Sequence, residues 1–341
     1  MSFYQNYKKN YWERKVLNKK KNFDLRLLKE NKTPISQDDQ KKLFKNYVEL
    51  VCLELSYYCN RACNYCPIYT MERSDKNLEM SEEVLENIVK SLSEINYSER
   101  ISLNLFNEPL ASKNIFKNIS YINKNLPSSI ISLNSNGDYI KDINYIKKLN
   151  ESGLKEILIT MHTPKNKKWN REYAEEQLKR FSKKIGYKLN QKNLKDLNFS
   201  FFEGKLLCEV FCTDWTSPKI ANSRGGLLEK FKKKNRTLPC EKPIREFVIS
   251  YDGSTQLCCH IFYNKEYDKK ISMIDLKKNI DIFKIYTSNI LSKARRDLFA
   301  YSPKKGLCAS CNHYDDNIKE NADKFFNLKD KDSRELILKN I

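Results

Sequence analysis

Two kinds of apolar spacing alternate along the chain from Tyr47 onward. VELVCLELSYY (residues 48–58) carries β-branched and aromatic residues in partial alternation, which predicts a strand. MSEEVLENIVKSLSEI then places Val84, Ile88 and Leu92 at i, i+4 and i+8, an apolar stripe on one face of a helix. Ser81 is positioned to cap that helix, and Glu82 and Glu83 fall in its first turn, where the helix dipole favours acids. The pattern repeats. ISLNLF, SIISL and EILITMH (residues 101–106, 129–133 and 156–162) read as strands, separated by helices over about residues 113–126 and over INYIKKLNES. That last helix is expected to stop at Gly153, and a helix beginning near Trp169 to stop near Gly186, because glycine readily takes the left-handed conformation that closes a helix. Such alternation implies a parallel sheet covered by helices.

Beyond Gly186 the order blurs. LLCEVF (residues 206–211) reads as a strand, whereas NFSFF before it reads as either strand or loop. From Cys240 the character shifts. REFVISYDGSTQLCC predicts a hairpin turned at Asp252-Gly253, followed by helical segments. Residues 1–46 are lysine-rich and weakly periodic, with a run at Lys19, Lys20 and Lys21, and read as a solvated basic extension. The expected division is therefore 1–46 as extension, 47–237 as an α/β body, and 238–341 as a small cysteine-rich hairpin and helix domain. No internal repeat is evident.

Composition narrows the class. With 40% hydrophobic residues over 341 positions, the chain has enough apolar material for a substantial core, which excludes wholesale disorder. No stretch is long and apolar enough to span a membrane, and the N-terminus has no apolar core of a secretory signal, so a cytoplasmic protein without membrane attachment is expected. The net charge of +20 comes from lysines scattered throughout. Neither a localised basic stripe nor a stacking motif accompanies it, so dedicated nucleic-acid binding is not expected.

Eleven cysteines change the picture more than the charge does. In a reducing compartment, clustered cysteines bind metal or do redox chemistry more often than they form disulfides. Cys59-Asn-Arg-Ala-Cys63-Asn-Tyr-Cys66-Pro puts three thiols directly after the first predicted strand. A [4Fe–4S] cubane offers four irons to thiolate ligands, so three local thiols leave one iron for a chelating substrate or cofactor. A zinc site usually shows two paired ligand groups, and none of the three histidines lies close in sequence. A second group, Cys240, Cys258-Cys259 and Cys308-Ala-Ser-Cys311, brings distant thiols together through a hairpin and a terminal CxxC, as either a four-cysteine zinc site or a second iron–sulfur cluster would. Cys52, Cys208 and Cys212 remain. Cys52 suits a buried strand position, and Cys208 or Cys212 is a candidate hydrogen-atom donor if it faces a substrate.

The CxxxCxxC loop, CNRACNYCP, resembles the signature of the radical SAM superfamily. That resemblance spans roughly residues 48–311. It implies a partial (β/α)6 barrel of TIM type, with a [4Fe–4S] cluster on Cys59, Cys63 and Cys66 at the C-terminal strand ends and S-adenosylmethionine (SAM) on the open iron. Phe106-Asn107-Glu108-Pro109 resembles the family's Gly-Gly-Glu-Pro motif, which would make Glu108 the acceptor for the methionyl ammonium. Both glycines are replaced here. Asn134-Ser135-Asn136-Gly137 resembles a Thr-Asn-Gly turn whose polar groups reach the ribose or the carboxylate. The resemblance further gives His162 a ribose contact, Tyr65 a backbone contact to adenine, and Arg224, within Asn222-Ser223-Arg224-Gly225-Gly226, a pairing with the SAM carboxylate.

The second cysteine group resembles the twitch form of the SPASM extension. In that pattern the cysteine five residues after the hairpin glycine is a ligand, which selects Cys258 over Cys259 and gives an auxiliary [4Fe–4S] set of Cys240, Cys258, Cys308 and Cys311. The family then implies an oxidoreductase. Its 5′-deoxyadenosyl radical abstracts hydrogen from a polar small molecule of sugar or aminocyclitol type, and a flavodoxin or ferredoxin type donor supplies electrons. Alternatives are a radical SAM peptide maturase or epimerase, a non-catalytic zinc-binding protein and, on charge alone, an RNA-modifying enzyme.

Overall fold

In the computed structural model, residues 23–31, 33–69, 73, 75, 78–163, 167–217, 220–232, 236–261, 281–312 and 331–339 are described. The strands are β1 (Leu50–Leu53), β2 (Arg100–Ser102), β3 (Ile130–Ser135), β4 (Glu156–Met161), β5 (Asn198–Glu203), β6 (Leu206–Cys212), β7 (Glu246–Ile249) and β8 (Thr255–Gln256). The helices are α1 (Gln37–Tyr47), α2 (Glu82–Glu94), α3 (Ile115–Asn125), α4 (Ile143–Glu151), α5 (Arg171–Lys184), α6 (Gln191–Asp196), α7 (Lys242–Arg245), α8 (Ile282–Tyr286), α9 (Asn289–Phe299) and α10 (Lys331–Lys339).

All eight strands form one sheet in the order β5-β6-β4-β3-β2-β1-β7-β8. The six inner strands pair parallel, and only β5 and β8 run antiparallel, at the two edges. Six parallel strands in one open sheet are what the strand–helix alternation predicts, and they accord with the partial barrel that the family resemblance implies. The NFSFF segment is therefore a strand. It forms β5 and folds back on β6 through a turn at Gly204. The predicted hairpin is β7–β8, with Gly253 at φ +82° in its turn. Its first strand does not stand apart: β7 pairs in register with β1 from Leu50–Glu246 to Leu53–Ile249.

Sequence patterns fix the helices as expected. Ser81 caps α2 through its hydroxyl, which accepts from Val84 N at 3.3 Å, and Val84, Ile88 and Leu92 are buried. β2 is shorter than its apolar pattern. After Leu103 the ladder ends because side chains take over its donors. Asn104 Oδ1 accepts from Asn134 N, Asn107 Oδ1 from Leu105 N, and Glu54 Oε1 from Phe106 N.

The expected solvated extension is corrected over its described part. From Phe23 on, the segment packs into the main core. Leu27, Leu28, Leu43 and Phe44 are buried, and Phe44 meets Tyr97, Phe247, Phe283 and Tyr286 edge-on. Apolar residues of α1 at helical spacing outweigh the lysines between them. The basic run at residues 19–21 lies outside the described residues. The chain closes with α10, whose buried Arg334 stacks 4.5 Å over the Phe299 ring and donates to Phe299 O. No helix among the described residues is long and apolar enough to cross a membrane.

Candidate active site

The C-terminal ends of β1, β2, β3, β4 and β6 open into one cavity of about 890 Å³. The loop after β1 brings Cys59, Cys63 and Cys66 to its wall. Cys59 and Cys66 pack with Ile68 and Phe106 in a small apolar cluster. Burial pushes the Cys59 thiol up to about 12 and raises Cys63 and Cys66 as well. Without metal all three stay protonated, so cluster assembly releases protons. Among the described residues no three His, Cys, Asp or Glu side chains converge on a point suited to a single ion. A cubane needs no such convergence, because each thiolate binds a different iron.

The loop after β2 supplies Glu108. This carboxylate is buried and accepts from Ser135 Oγ and Asn136 N at 2.7 Å each, and from Leu110 N at 3.1 Å. Burial pushes it up to about 7 against those donors, which favour its ionised form. The loop itself hangs from a buried ion pair. Glu54 Oε1 lies 2.5 Å from Arg73 Nη1 and also accepts from Phe106 N at 3.0 Å. Asn107 is committed to the same turn, since its amide donates to Ser56 Oγ as its oxygen accepts from Leu105 N.

After β3, Asn136 spans the mouth. Its Nδ2 donates to Asn60 Oδ1 at 2.7 Å and its Oδ1 accepts from Asp138 N. Gly137 follows at φ +75°, where an added Cβ would meet Ile159 Cγ2 and Met161 Cε at 2.9 Å, so only glycine fits this turn. Asp138 is held by Arg61 through two bonds, 2.7 Å to Oδ2 and 2.6 Å to Oδ1, and Arg61 also donates to His162 O. This clamp ties the cysteine loop to the ends of β3 and β4. Neither Arg61 nor Asp138 was expected from the sequence, although Arg61 lies inside the cysteine motif itself.

His162 Nδ1 lies 2.6 Å from Tyr65 Oη. Burial, with Arg61 nearby, pushes this imidazole down to about 3, so it is neutral at working pH. Tyr65 in turn lies beside Trp215, which follows β6. Arg224 reaches the same cavity from a loop in which Arg224, Gly225 and Gly226 all have positive φ. A non-glycine residue in that region costs about 1 kcal/mol or more, a strain that surrounding contacts must hold. Here Asn312 does so. It receives Ser223 N and donates to Ala221 O, both at 2.7 Å, directly after the terminal CxxC.

The structure brings Tyr65, Asn107, Glu108, Ser135, Asn136, His162 and Arg224 to the same cavity as the three cysteines. Cys208 and Cys212 are not brought there. Cys208 is buried in the core and Cys212 donates to Ala174 O, so neither can serve a substrate as a hydrogen-atom donor. The second cysteine group gathers below. Cys240 and Cys258 are buried together, with Cys308 packed against them and Cys311 following in its turn. Burial pushes Cys240 up to about 11 and Cys308 up to about 12.

Residues 53–197 match the profile described as the Radical SAM superfamily. The segment from the end of β1 to the start of β5 thus carries the radical SAM match. A relative, the S-adenosyl-L-methionine-dependent 2-deoxy-scyllo-inosamine dehydrogenase of Niallia circulans, is 21% identical over 276 residues, or 80% of this chain and 96% of the relative. Among solved structures, BtrN in complex with AdoMet and 2-DOIA superposes with a TM-score of 0.54 at 20% identity, covering 78% of this chain and 93% of that one. BtrN in an open conformation gives a TM-score of 0.51 at 18% identity, covering 78% and 92%. These likenesses establish the fold. A radical SAM enzyme binds SAM and a [4Fe–4S] cluster, and the present cavity fits both. It offers three thiols with no fourth cysteine on the wall, a buried carboxylate, and two donors without acceptors, Arg224 Nε and Trp215 Nε1.

Proposed function

We propose that this radical SAM enzyme is an oxidoreductase that takes a hydrogen atom from a polar small molecule of sugar or aminocyclitol type. The Niallia circulans relative, matched over 96% of its length, is named for a dehydrogenation of 2-deoxy-scyllo-inosamine, which supports this class. Cys59, Cys63 and Cys66 hold the SAM-binding cluster, and Cys240, Cys258, Cys308 and Cys311 hold an auxiliary one. When bound, these groups supply the 5′-deoxyadenosyl radical and an acceptor for the electron left over in a two-electron oxidation.

The chain's own residues orient and shield. Glu108 receives the methionyl ammonium, for which its buried, partly satisfied carboxylate is suited. Arg224 faces the methionyl carboxylate with a guanidinium whose Nε has no acceptor in the protein. Ser135 and Asn136 present the polar edge of the β3 turn, His162 a neutral imidazole to the ribose, Tyr65 its backbone to the adenine, and Asn107 rigidity to the turn carrying Glu108. Ile68 and Phe106 pack an apolar wall against Cys59 and Cys66, which keeps water from the thiolates. A flavodoxin or ferredoxin type protein of the cytoplasm delivers the electrons.

One observation carries this reading: three thiols and a buried carboxylate share a single cavity at the C-terminal strand ends. Anaerobic reconstitution with iron and sulfide, read by Mössbauer spectroscopy, tests it. The expected result is two cubanes, of which the triple variant C59A/C63A/C66A loses the one perturbed by SAM. Protein that binds zinc alone overturns the proposal. Deuterium passing to 5′-deoxyadenosine from a labelled peptide but never from labelled sugars would move the substrate class to peptides.

A further inference from the structure

We infer that the substrate carries a negative charge, as a carboxylate or phosphate on a polyhydroxylated ring, rather than the amine of the relative's substrate. The inference rests on the proposed radical SAM reading and concerns the part of the cavity that SAM leaves free.

Among the described residues lining the cavity, Glu108 is the only carboxylate, whereas Arg61, Arg224, Lys230 and Lys232 are cationic. Arg61 is neutralised by Asp138. In the proposed reading, Glu108 and Arg224 are matched by the ammonium and carboxylate of SAM. A cubane with three thiolates carries about one negative charge in its oxidised form, and the sulfonium offsets it. Lys230 and Lys232 then remain, with no lining carboxylate to receive a substrate ammonium. Lys230 has no acid partner among the described residues, and its ammonium lies 4.8 Å from the centre of the Phe231 ring. Lys232 pairs with Glu229, but that carboxylate is 79% exposed and does not line the cavity. An ion pair so open to water holds its partners weakly and yields to a better-placed anion.

Hydrogen-bonding capacity points the same way. Trp215 and Arg224 both line the cavity, and the indole Nε1 and guanidinium Nε are buried with no acceptor in the protein. Both groups can only donate. SAM's carboxylate can serve Arg224, but the N–H of Trp215, whose ring lies beside Tyr65 and Phe211, still lacks an acceptor. Buried donors left unsatisfied are rare because each forfeits the hydrogen bond it made to water. A ligand oxygen removes that cost, while a substrate ammonium would add a further donor to a wall already rich in them.

Binding to the reconstituted, SAM-loaded protein, measured anaerobically by calorimetry, tests the inference. The probes are D-glucuronate and D-glucose 6-phosphate against neutral myo-inositol and cationic D-glucosamine. The expected result is at least tenfold tighter binding of one anionic probe than of either control. K230Q/K232Q should lose that preference, and K230R/K232R should keep it. Glucuronate and glucose 6-phosphate separate a carboxylate from a phosphate preference. Binding of both anions no tighter than the controls overturns the inference, as does a preference unmoved in the glutamine variant. Formation of 5′-deoxyadenosine without added substrate is followed separately. Its absence would count against the radical SAM reading and leave the charge preference to be judged on binding alone.

Discussion

Cys258 and Cys259 are consecutive in the chain but have different surroundings. Cys258 is buried in the cluster formed with Cys240, Leu257, Ile261 and Leu298. Cys259 Sγ lies 3.8 Å from Lys242 Nζ, and Cys259 N donates to Glu246 Oε2. Cys258 therefore shares its environment with the other members of the proposed auxiliary set, while Cys259 sits against an ion pair. The expected outcome is that C258A loses about four irons per chain, whereas C259A retains the full complement. Iron and sulfide analysis after anaerobic reconstitution checks this.

Glu108 makes the stability of the metal-free, SAM-free chain depend on pH. Its folded-state value of about 7 is above its ordinary 4.5, so the folded state holds the proton more tightly than the unfolded one. Stability is then greatest below 4.5 and falls as pH rises through 7. A difference of that size is on the order of 3 kcal/mol. E108Q should remove this part of the slope, as measured by urea unfolding across the range. SAM should restore stability at high pH in the wild type by giving the carboxylate a cationic partner.

His162 has the opposite sign. Desolvated and held near 3, the folded-state imidazole stays neutral where the unfolded one, at 6.5, takes a proton. Its contribution is fully present above 6.5 and is lost as pH falls toward 3. In NMR spectra of the folded protein, the His162 ring should show no titration at about pH 5. A ring that titrates there would contradict the desolvation of His162 beside Arg61.

The Glu54–Arg73 pair is a third point of leverage. Both side chains are almost fully buried, and Glu54 also anchors Phe106 N. Removing the guanidinium in R73A strands a carboxylate beneath the Glu108 loop and should cost about 3–5 kcal/mol by chemical denaturation. The double variant E54Q/R73A should recover part of that loss, since no unpaired charge remains.

Much of the site was legible because it is local in sequence. Cys59, Cys63 and Cys66 lie within one loop, and the strand–helix alternation from residue 47 to 186 places that loop at a strand end. Glu108 and the Asn136-Gly137 turn follow from the strands before them. Arg61 was not legible, because its partner Asp138 lies 77 residues away and nothing in either segment names the other. Trp215, Lys230 and Lys232 were missed for another reason. They sit in irregular loops with no periodicity, where an aromatic or a lysine reads as ordinary surface. The burial of Leu27, Leu28 and Phe44 was masked by the lysine count, which reports average polarity and not which face of α1 carries it.

The parallel pairing of β7 with β1 sets a limit on how this protein can be divided. A fragment ended near Leu238 would strip β1 of one neighbour, and the strand that feeds the cysteine loop would present its bare amides and carbonyls to solvent. Such a piece should aggregate through that edge rather than survive as a minimal catalyst. Attempts to shorten the enzyme, or to graft its cysteine-rich end onto another scaffold, therefore need to move the hairpin and the barrel together.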